Sequence, residues 1–171
     1  MITLTEGHAS NANPIAEGAI ATVSRVARSC LEQALQCLEA TDTREACAAY
    51  LWHFAMQYSA AYVTATYLSD SDAPGRLGLS DFAPFCARVL YRKGHKVKTK
   101  PGASSARTGY YLGPSFEVPH GSLILNSTTG ETEVSTTVRA YQQQGEWFFP
   151  RTLHLPAETG PNELAGFVWI Q

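Results

Sequence analysis

The sequence predicts an α+β protein in which an antiparallel helical hairpin precedes a small antiparallel β-sheet or barrel. Over about residues 14–67, apolar residues recur at spacings of three and four, which is typical of amphipathic helices. From residue 81 onward the pattern changes to short alternating runs, which is typical of strands. The chain has 171 residues, of which 44% are hydrophobic and 16% are charged, so it can form a packed core.

The first helix is predicted to begin at Pro14 and to run to about Ala40. Asn13 is a favourable N-cap, and proline at the first helical position loses no hydrogen bond. The following apolar residues form one helical face: Ala16, Ala19, Ile20, Val23, Val26, Ala27, Cys30, Leu31, Ala34, Leu35 and Leu38. Glu17 lies in the first turn, where a carboxylate gains about 0.3–1 kcal/mol from the helix dipole.

The second helix is predicted to run from about Arg44 to Tyr67. Its apolar residues also recur at helical spacing: Cys47, Tyr50, Leu51, Phe54, Ala55, Tyr58, Ala61, Tyr62 and Ala65. Because the join to the first helix is only a few residues long, the two helices should pack antiparallel. We expect Trp52 and the tyrosines of this helix to lie in the core.

Turn-forming residues between positions 69 and 80 predict a linker, which divides the chain into residues 1–69, 70–80, 81–140 and 141–171. Strands are expected at about 85–91, 108–113, 122–125 and 132–138, with a hairpin loop at 126–131. The apolar patches of the tail, 141–171, either cover a sheet edge or begin a further element. These alternatives stay open from the sequence.

The cysteines and the hydropathy pattern indicate the cellular compartment. The four cysteines include no C-x-x-C pair, which is typical of buried thiols, and the five scattered histidines supply no zinc-ligand set. We see no signal peptide and no apolar run long enough to span a membrane. An intracellular protein, nuclear or cytoplasmic and not secreted, is therefore expected.

A series of short motifs, in order along residues 10–140, resembles the copia-type retrotransposon integrases. The first motif has Asn13, Ala16 and Glu17, followed by Thr22 and by Ala27-Arg28-Ser29-x-Leu31, although Pro14 and Gly18 depart from the family pattern. The later motifs are Leu51-Trp52-x-x-Ala55, Ala61-Tyr62, Phe85-Cys86, Lys98-Thr99-Lys100-Pro101, Gly109-Tyr110-Tyr111-Leu112-Gly113, Thr129-Gly130 and Val134-Ser135-Thr136-Thr137-Val138-Arg139.

The resemblance implies that residues 1–69 are the C-terminal piece of an RNase H-like catalytic core and that residues 81–140 are the family's downstream β-domain. It also implies that Glu17 is the third carboxylate of a D,D,E site, which holds Mg²⁺ or Mn²⁺ in the intact family enzyme. Two-metal strand transfer needs three acidic side chains. Before Glu17 the chain has only Glu6 and no aspartate. We therefore expect a truncated piece with an incomplete metal site, no bound cofactor and no catalysis by the chain alone.

A basic stretch in the β-region is the second candidate site. Seven of the thirteen Lys and Arg residues fall in one stretch without any acid, and they are Arg88, Arg92, Lys93, Lys96, Lys98, Lys100 and Arg107. Such a cluster indicates non-specific DNA phosphate contacts, although the net charge of the chain is −2. The alternative is that the stretch is a solvated connector.

The sequence thus favours an integrase-derived chain associated with DNA integration and nucleic-acid binding. A DNA-binding module without catalysis and a decayed structural or interaction protein remain as alternatives. We also expect the helical hairpin to leave an apolar face uncovered, which favours self-association, and we expect no membrane partner.

Overall fold

The computed structural model describes residues 14–39, 43–67, 82–92 and 106–156 of the chain. Two α-helices, α1 (Pro14–Leu35) and α2 (Arg44–Tyr67), precede five strands that form one antiparallel sheet. The strands are β1 (Arg88–Arg92), β2 (Ala106–Pro114), β3 (Ser122–Asn126), β4 (Thr132–Ser135) and β5 (Val138–Ala140). The predicted α+β class is confirmed.

Helix α1 begins at Pro14, as predicted, but ends five residues earlier than the expected Ala40. The Leu38 N–H donates to the Leu35 carbonyl, three residues back, which tightens the last turn. The Glu39 N–H then donates to the Arg151 carbonyl at 3.0 Å. The helix therefore ends because its last donors bind outside the helical pattern. Leu38 nevertheless stays buried in the core.

Helix α2 has the predicted bounds and packs its inner side against α1 and the sheet. Tyr58 is the central residue of this contact, because its ring meets Phe85 and Tyr111 at centroid distances of 5.5 and 6.3 Å. Its hydroxyl donates to the Ala83 carbonyl at 3.1 Å. Burial raises the pKa of the Tyr58 phenol, in keeping with a neutral group in an apolar contact. The prediction that Trp52 and the tyrosines of α2 lie in the core is confirmed for Tyr58, but it is wrong for Trp52, Tyr62 and Tyr67, which are 37%, 36% and 77% exposed.

The five-stranded sheet has the order β4-β3-β2-β1-β5 and curls into a barrel. Strands β4 and β5 lie at its two edges, which would be about 19 Å apart in a flat sheet at about 4.8 Å per strand. Only two residues join β4 to β5, and three Cα–Cα steps reach about 11 Å at most. The edges must therefore approach each other. Where β4 passes into β5, Ser135 Oγ donates to the Arg92 carbonyl at 2.7 Å, and the Arg92 N–H donates to the Thr137 carbonyl.

Two strand boundaries differ from the sequence prediction. The expected first strand began at residue 85, but Cys86 has a left-handed φ of 60°, so extended backbone starts only at Arg88. The expected fourth strand at 132–138 is two strands, because the chain turns at residues 136–137 to close the barrel. A backbone hydrogen bond is formed at each of these places. The Cys86 N–H donates to the Tyr111 carbonyl at 2.7 Å, and the Thr137 carbonyl accepts from the Arg92 N–H at 3.2 Å.

The described part of the tail packs on the barrel. Strands β6 (Gln142–Gln143) and β7 (Glu146–Trp147) form a small hairpin in a stretch where no strand was predicted. Its two turn residues, Gln144 and Gly145, both have positive φ, as the primed hairpin turns require. The Phe148 carbonyl then accepts a hydrogen bond from the Arg88 N–H at 2.7 Å. This part of the tail therefore binds the first residue of β1.

One cluster of buried side chains includes residues of both helices and of the sheet. The predicted linker, residues 70–80, lies outside the described residues, so the proposed domain boundary stays a prediction. Within the part of the chain that is described, Leu31, Leu51, Phe85 and Ile124 belong to the same core. The helical hairpin and the barrel therefore share an interior.

Candidate nucleic-acid interface

Strands β1 and β2 bring the two ends of the basic stretch together. Arg92, the last residue of β1, is the register partner of Ala106, the first residue of β2. Residues 93–105 connect these two neighbours and carry the four lysines of the predicted site, Lys93, Lys96, Lys98 and Lys100, which lie outside the described residues. The connection between β1 and β2 therefore begins and ends at neighbouring residues of the sheet.

Three arginines lie on the outer side of β1 and β5. In β1, Val89 and Tyr91 are buried, so the alternating residues Arg88 and Arg92 face outward. Arg139 of β5 is the register partner of Leu90, which lies between those two arginines. Diagonal neighbours in an antiparallel pair are about 7–8 Å apart, so Arg139 is close to both of them.

Two tyrosines complete this surface, which we call the arginine face: Arg88, Arg92, Tyr110, Arg139 and Tyr141. The Arg88 guanidinium carbon lies 4.7 Å above the centre of the Tyr141 ring, which is cation–π geometry. Tyr110 is the register partner of Arg88. Burial raises the pKa of the Tyr110 phenol, and the positive charge of Arg88 opposes that rise. The face thus alternates cationic and aromatic groups.

The structure places Arg107 on the other side of the sheet. Its register partner is the buried Tyr91, and its guanidinium lies 3.5 Å from Glu133 Oε1. The same carboxylate accepts hydrogen bonds from Tyr91 Oη at 3.1 Å and from Asn126 Nδ2 at 3.2 Å. Burial and the neighbouring Glu133 charge raise the pKa of Tyr91 to about 12. Arg107 thus offsets a partly buried carboxylate instead of joining the arginine face.

Glu17 is exposed in the first turn of α1, as its sequence position predicts. Among the residues that are described, no three His, Cys, Asp or Glu side chains come together as metal ligands. A pair of divalent cations needs several oxygen ligands, so the carboxylate of Glu17 by itself does not fit the two-metal group that the family resemblance implies.

A cavity of about 550 Å³ opens on the inner side of β1 and β5. Its lining includes Tyr111, His120, Ser122, Val138 and Trp147. Apart from His120 the lining groups are uncharged, which suits neutral groups and not phosphates. Because it lies on the opposite side of the sheet, this cavity is separate from the arginine face.

Comparison of the chain with protein-family models, with curated proteins and with solved structures gives no match. Neither described helix combines the length and the apolar composition that crossing a bilayer requires. The resemblance to copia-type integrases therefore stays a prediction.

Sequence reasoning missed Arg139 and Tyr141 as members of this face. The alternation Val138, Arg139, Ala140 indicates which way Arg139 points along its own strand, but not which strand lies beside it. Arg139 is 47 positions after Arg92 in the sequence. The pairing of β5 with β1 brings the two together.

Proposed function

We propose that this chain is an integrase-derived, non-catalytic module that binds DNA through its phosphates. The observation that carries the proposal is the arginine face, which holds three arginines on two neighbouring strands, and Arg92 of this face is directly followed in the chain by the lysine-bearing residues 93–105. The arginines of the arginine face and the lysines of residues 93–105 supply the positive charge that phosphate binding needs.

The side-chain chemistry of the arginine face favours phosphate over other anions. Guanidinium groups present a planar fork of donors that matches phosphate oxygens, and rigid strands hold three of them at fixed spacing. The face also contains Tyr110 and Tyr141, and aromatic rings between cationic groups give surfaces on which unpaired bases stack. No acid is among the register partners of the β1 arginines.

The closed connection between β1 and β2 supports the same proposal. Because Arg92 and Ala106 are register partners, both ends of segment 93–105 are attached next to Arg92, a residue of the arginine face. At about 3.4 Å per residue, the middle of this segment reaches at most about 24 Å from its two ends. The four lysines of the segment add four positive charges to the three of the arginine face.

The integrase origin is supported by the order of the elements, a helical hairpin followed by a small barrel, as the resemblance implies. The strand order β5-β1-β2-β3-β4 does not by itself identify a function, because one fold serves many functions. Among the described residues no three possible metal ligands come together, so the proposal includes no strand transfer.

The test is fluorescence anisotropy with a labelled duplex over a series of salt concentrations. Changing Arg88, Arg92 and Arg139 together to glutamine removes three phosphate contacts. Each lost contact lowers the slope of log K against log salt by about 0.9 for duplex DNA, so the slope should fall by about two to three. Changing Lys96, Lys98 and Lys100 to glutamine should lower it by a similar amount.

A matched control removes the same charge from elsewhere on the molecule. The arginines Arg25, Arg28 and Arg151 are exposed and belong to neither β1 nor β5. Changing those three to glutamine should leave the salt slope almost unchanged. If all three triple variants bind like the parent at every salt concentration, the decayed structural or interaction protein becomes the better explanation of this chain.

A further inference from the structure

Helix α2 carries no Lys, Arg, Asp or Glu from Ala46 to its end at Tyr67. Its inner side is buried against α1 and the sheet, but its outer side is exposed. Exposed helix faces ordinarily carry charged residues, and a helix that is apolar all round is ordinarily buried all round. The outer side of α2 is therefore an unusual surface to leave in water.

Six exposed or half-buried apolar residues form a narrow stripe along α2, which we call the outer seam: Ala49, Trp52, Met56, Ala60, Val63 and Tyr67. They are separated by three, four, four, three and four residues, the spacing that packs one helix along another. Trp52 is 37% exposed and Tyr67 is 77% exposed. Met56 and Val63 are half-buried, and both alanines are exposed. Part of the Met56 side chain packs against the core, and the rest remains accessible on the outer side.

We propose that two copies of this chain associate antiparallel through the outer seam, around a two-fold axis at Met56. In a two-fold symmetric dimer, a contact between one residue of the first copy and another residue of the second copy occurs twice, with the two copies exchanged. With the axis at Met56, Trp52 lies opposite Ala60 of the second copy, and Ala49 lies opposite Val63 of the second copy. The largest side chain of the seam thus meets one of its two smallest.

The second copy is the occupant that the chemistry of the seam favours. A seam without charges needs a partner surface without charges, and the outer seam itself is such a surface. The size pattern about Met56 is also complementary to itself, large against small on both sides of the axis. At one end, Tyr67 comes opposite Glu45 of the second copy, an exposed carboxylate that can accept the phenol hydrogen.

The dimension of the seam predicts a reversible dimer. From Ala49 to Tyr67 the helix rises about 27 Å. One helix pair of that length buries less than the standard interface, and small interfaces are typical of weak association. We expect dissociation in the micromolar range, independent of the arginine face.

Sedimentation velocity over a range of protein concentrations tests the proposal. The parent chain should pass from monomer to dimer between about 1 and 200 μM, a range suited to weak interfaces. Met56→Lys places two like charges together at the axis and should raise the dissociation constant at least tenfold. Gln57→Lys adds the same charge one position away, off the seam, and should change it less than threefold.

An exchange of large and small residues tests the register. Ala60→Trp sets two large side chains against each other and should weaken the dimer at least tenfold. The double variant Trp52→Ala, Ala60→Trp restores a large-to-small pairing in both halves, so its dissociation constant should return to within threefold of the parent. Circular dichroism checks that each variant is folded.

A cysteine pair supplies a test that does not depend on large substitutions. In a Cys37→Ser background, Met56→Cys should form a disulfide-linked dimer on mild oxidation, and Gln57→Cys should not. A parent chain that stays monomeric at 200 μM, a dimer indifferent to Met56→Lys, or equal crosslinking at both positions would each overturn the proposal. So would failure of the folded exchange variant to dimerise.

Discussion

At the scale of single residues, Gly109 leaves no room for a side chain. An added Cβ would lie 2.5 Å from Ile124 Cγ2, 2.7 Å from the Leu125 carbonyl oxygen and 3.0 Å from Tyr91 Cε1. Two of these atoms belong to the strand next to β2 and one to the buried ring of β1. The close approach of the three strands at this point requires a residue without a side chain.

We therefore expect Gly109→Ala to lower the free energy of unfolding by about 1–3 kcal/mol, the usual penalty of overpacking. Gly18 is the matched control, because it lies inside α1 with open space around its Cα. Gly18→Ala should raise the free energy of unfolding by about 0.5–1 kcal/mol through helix propensity. Urea denaturation measures both changes. Equal midpoints for the two variants would contradict the crowding at Gly109.

The sequence predicted some residue positions well and others poorly, for physical reasons. Pro14 as the first residue of α1 follows from local rules that act within one turn. The exposure of Trp52 and the pairing of Arg107 with Glu133 depend on which residues lie nearby in space. Cys86 takes a positive φ because the surrounding contacts hold it there, and a cysteine in the sequence gives no sign of that backbone shape.

At the scale of elements, the hydrogen bond between Tyr91 and Glu133 joins β1 to β4 across the barrel. The strands are separated by β2 and β3 in the sheet order, so the bond spans the interior. Tyr91 is 1% exposed, and its neutral phenol is the form that this environment favours. The contact therefore helps to hold the curled sheet in shape.

This contact predicts a pH-dependent stability. The pKa of Tyr91 is about 12 in the folded protein and about 10 when unfolded, so the unfolded chain loses the proton first. The stabilisation from Tyr91 is complete below pH 10 and disappears as pH rises through 12. Tyr91→Phe should be less stable than the parent by about 1 kcal/mol at pH 8, and the difference should close towards pH 12. Denaturation at both pH values checks this, and a constant difference would contradict it.

The order of the elements was more predictable from the sequence than their pairing. The bounds of α2 and the positions of β2 and β3 follow from apolar spacing and from turn residues within each segment. The division of 132–138 into β4 and β5 arises because each half pairs with a different strand, β3 or β1. Because β1 and β5 are more than forty residues apart in the sequence, no local pattern of residues indicates that they pair.

At the scale of the whole molecule, the described helices and barrel share one core. Tyr58 of α2 lies against Tyr111 of the sheet, and Gly113 approaches the Tyr58 backbone closely enough that an added Cβ would lie 3.6 Å from its Cα. The tail adds a second connection, because the Arg151 carbonyl accepts from the Glu39 N–H after α1. Apolar patterns show which residues are buried, but not that two successive units bury them together.

A shared core predicts that the helices and the barrel unfold together. Tyr58→Ala should lower the free energy of unfolding by about 3–5 kcal/mol, because it leaves a large cavity between them. Phe116→Ala is the control, since this ring is 72% exposed in the β2–β3 loop and its loss should change stability by about 0.5 kcal/mol or less. Hydrogen exchange should give α2 and β3 amides the same denaturant dependence. Separate transitions would indicate independent units.

The pairing of Arg92 with Ala106 has a consequence for how such a protein can change over time. A connection that starts and ends at neighbouring residues of two paired strands can gain or lose residues without altering the register of those strands. Doubling its length adds only about 0.6 kcal/mol of closure entropy. Insertions and deletions there can therefore alter how many positive charges the barrel presents, while selection on the barrel's own stability acts on other positions.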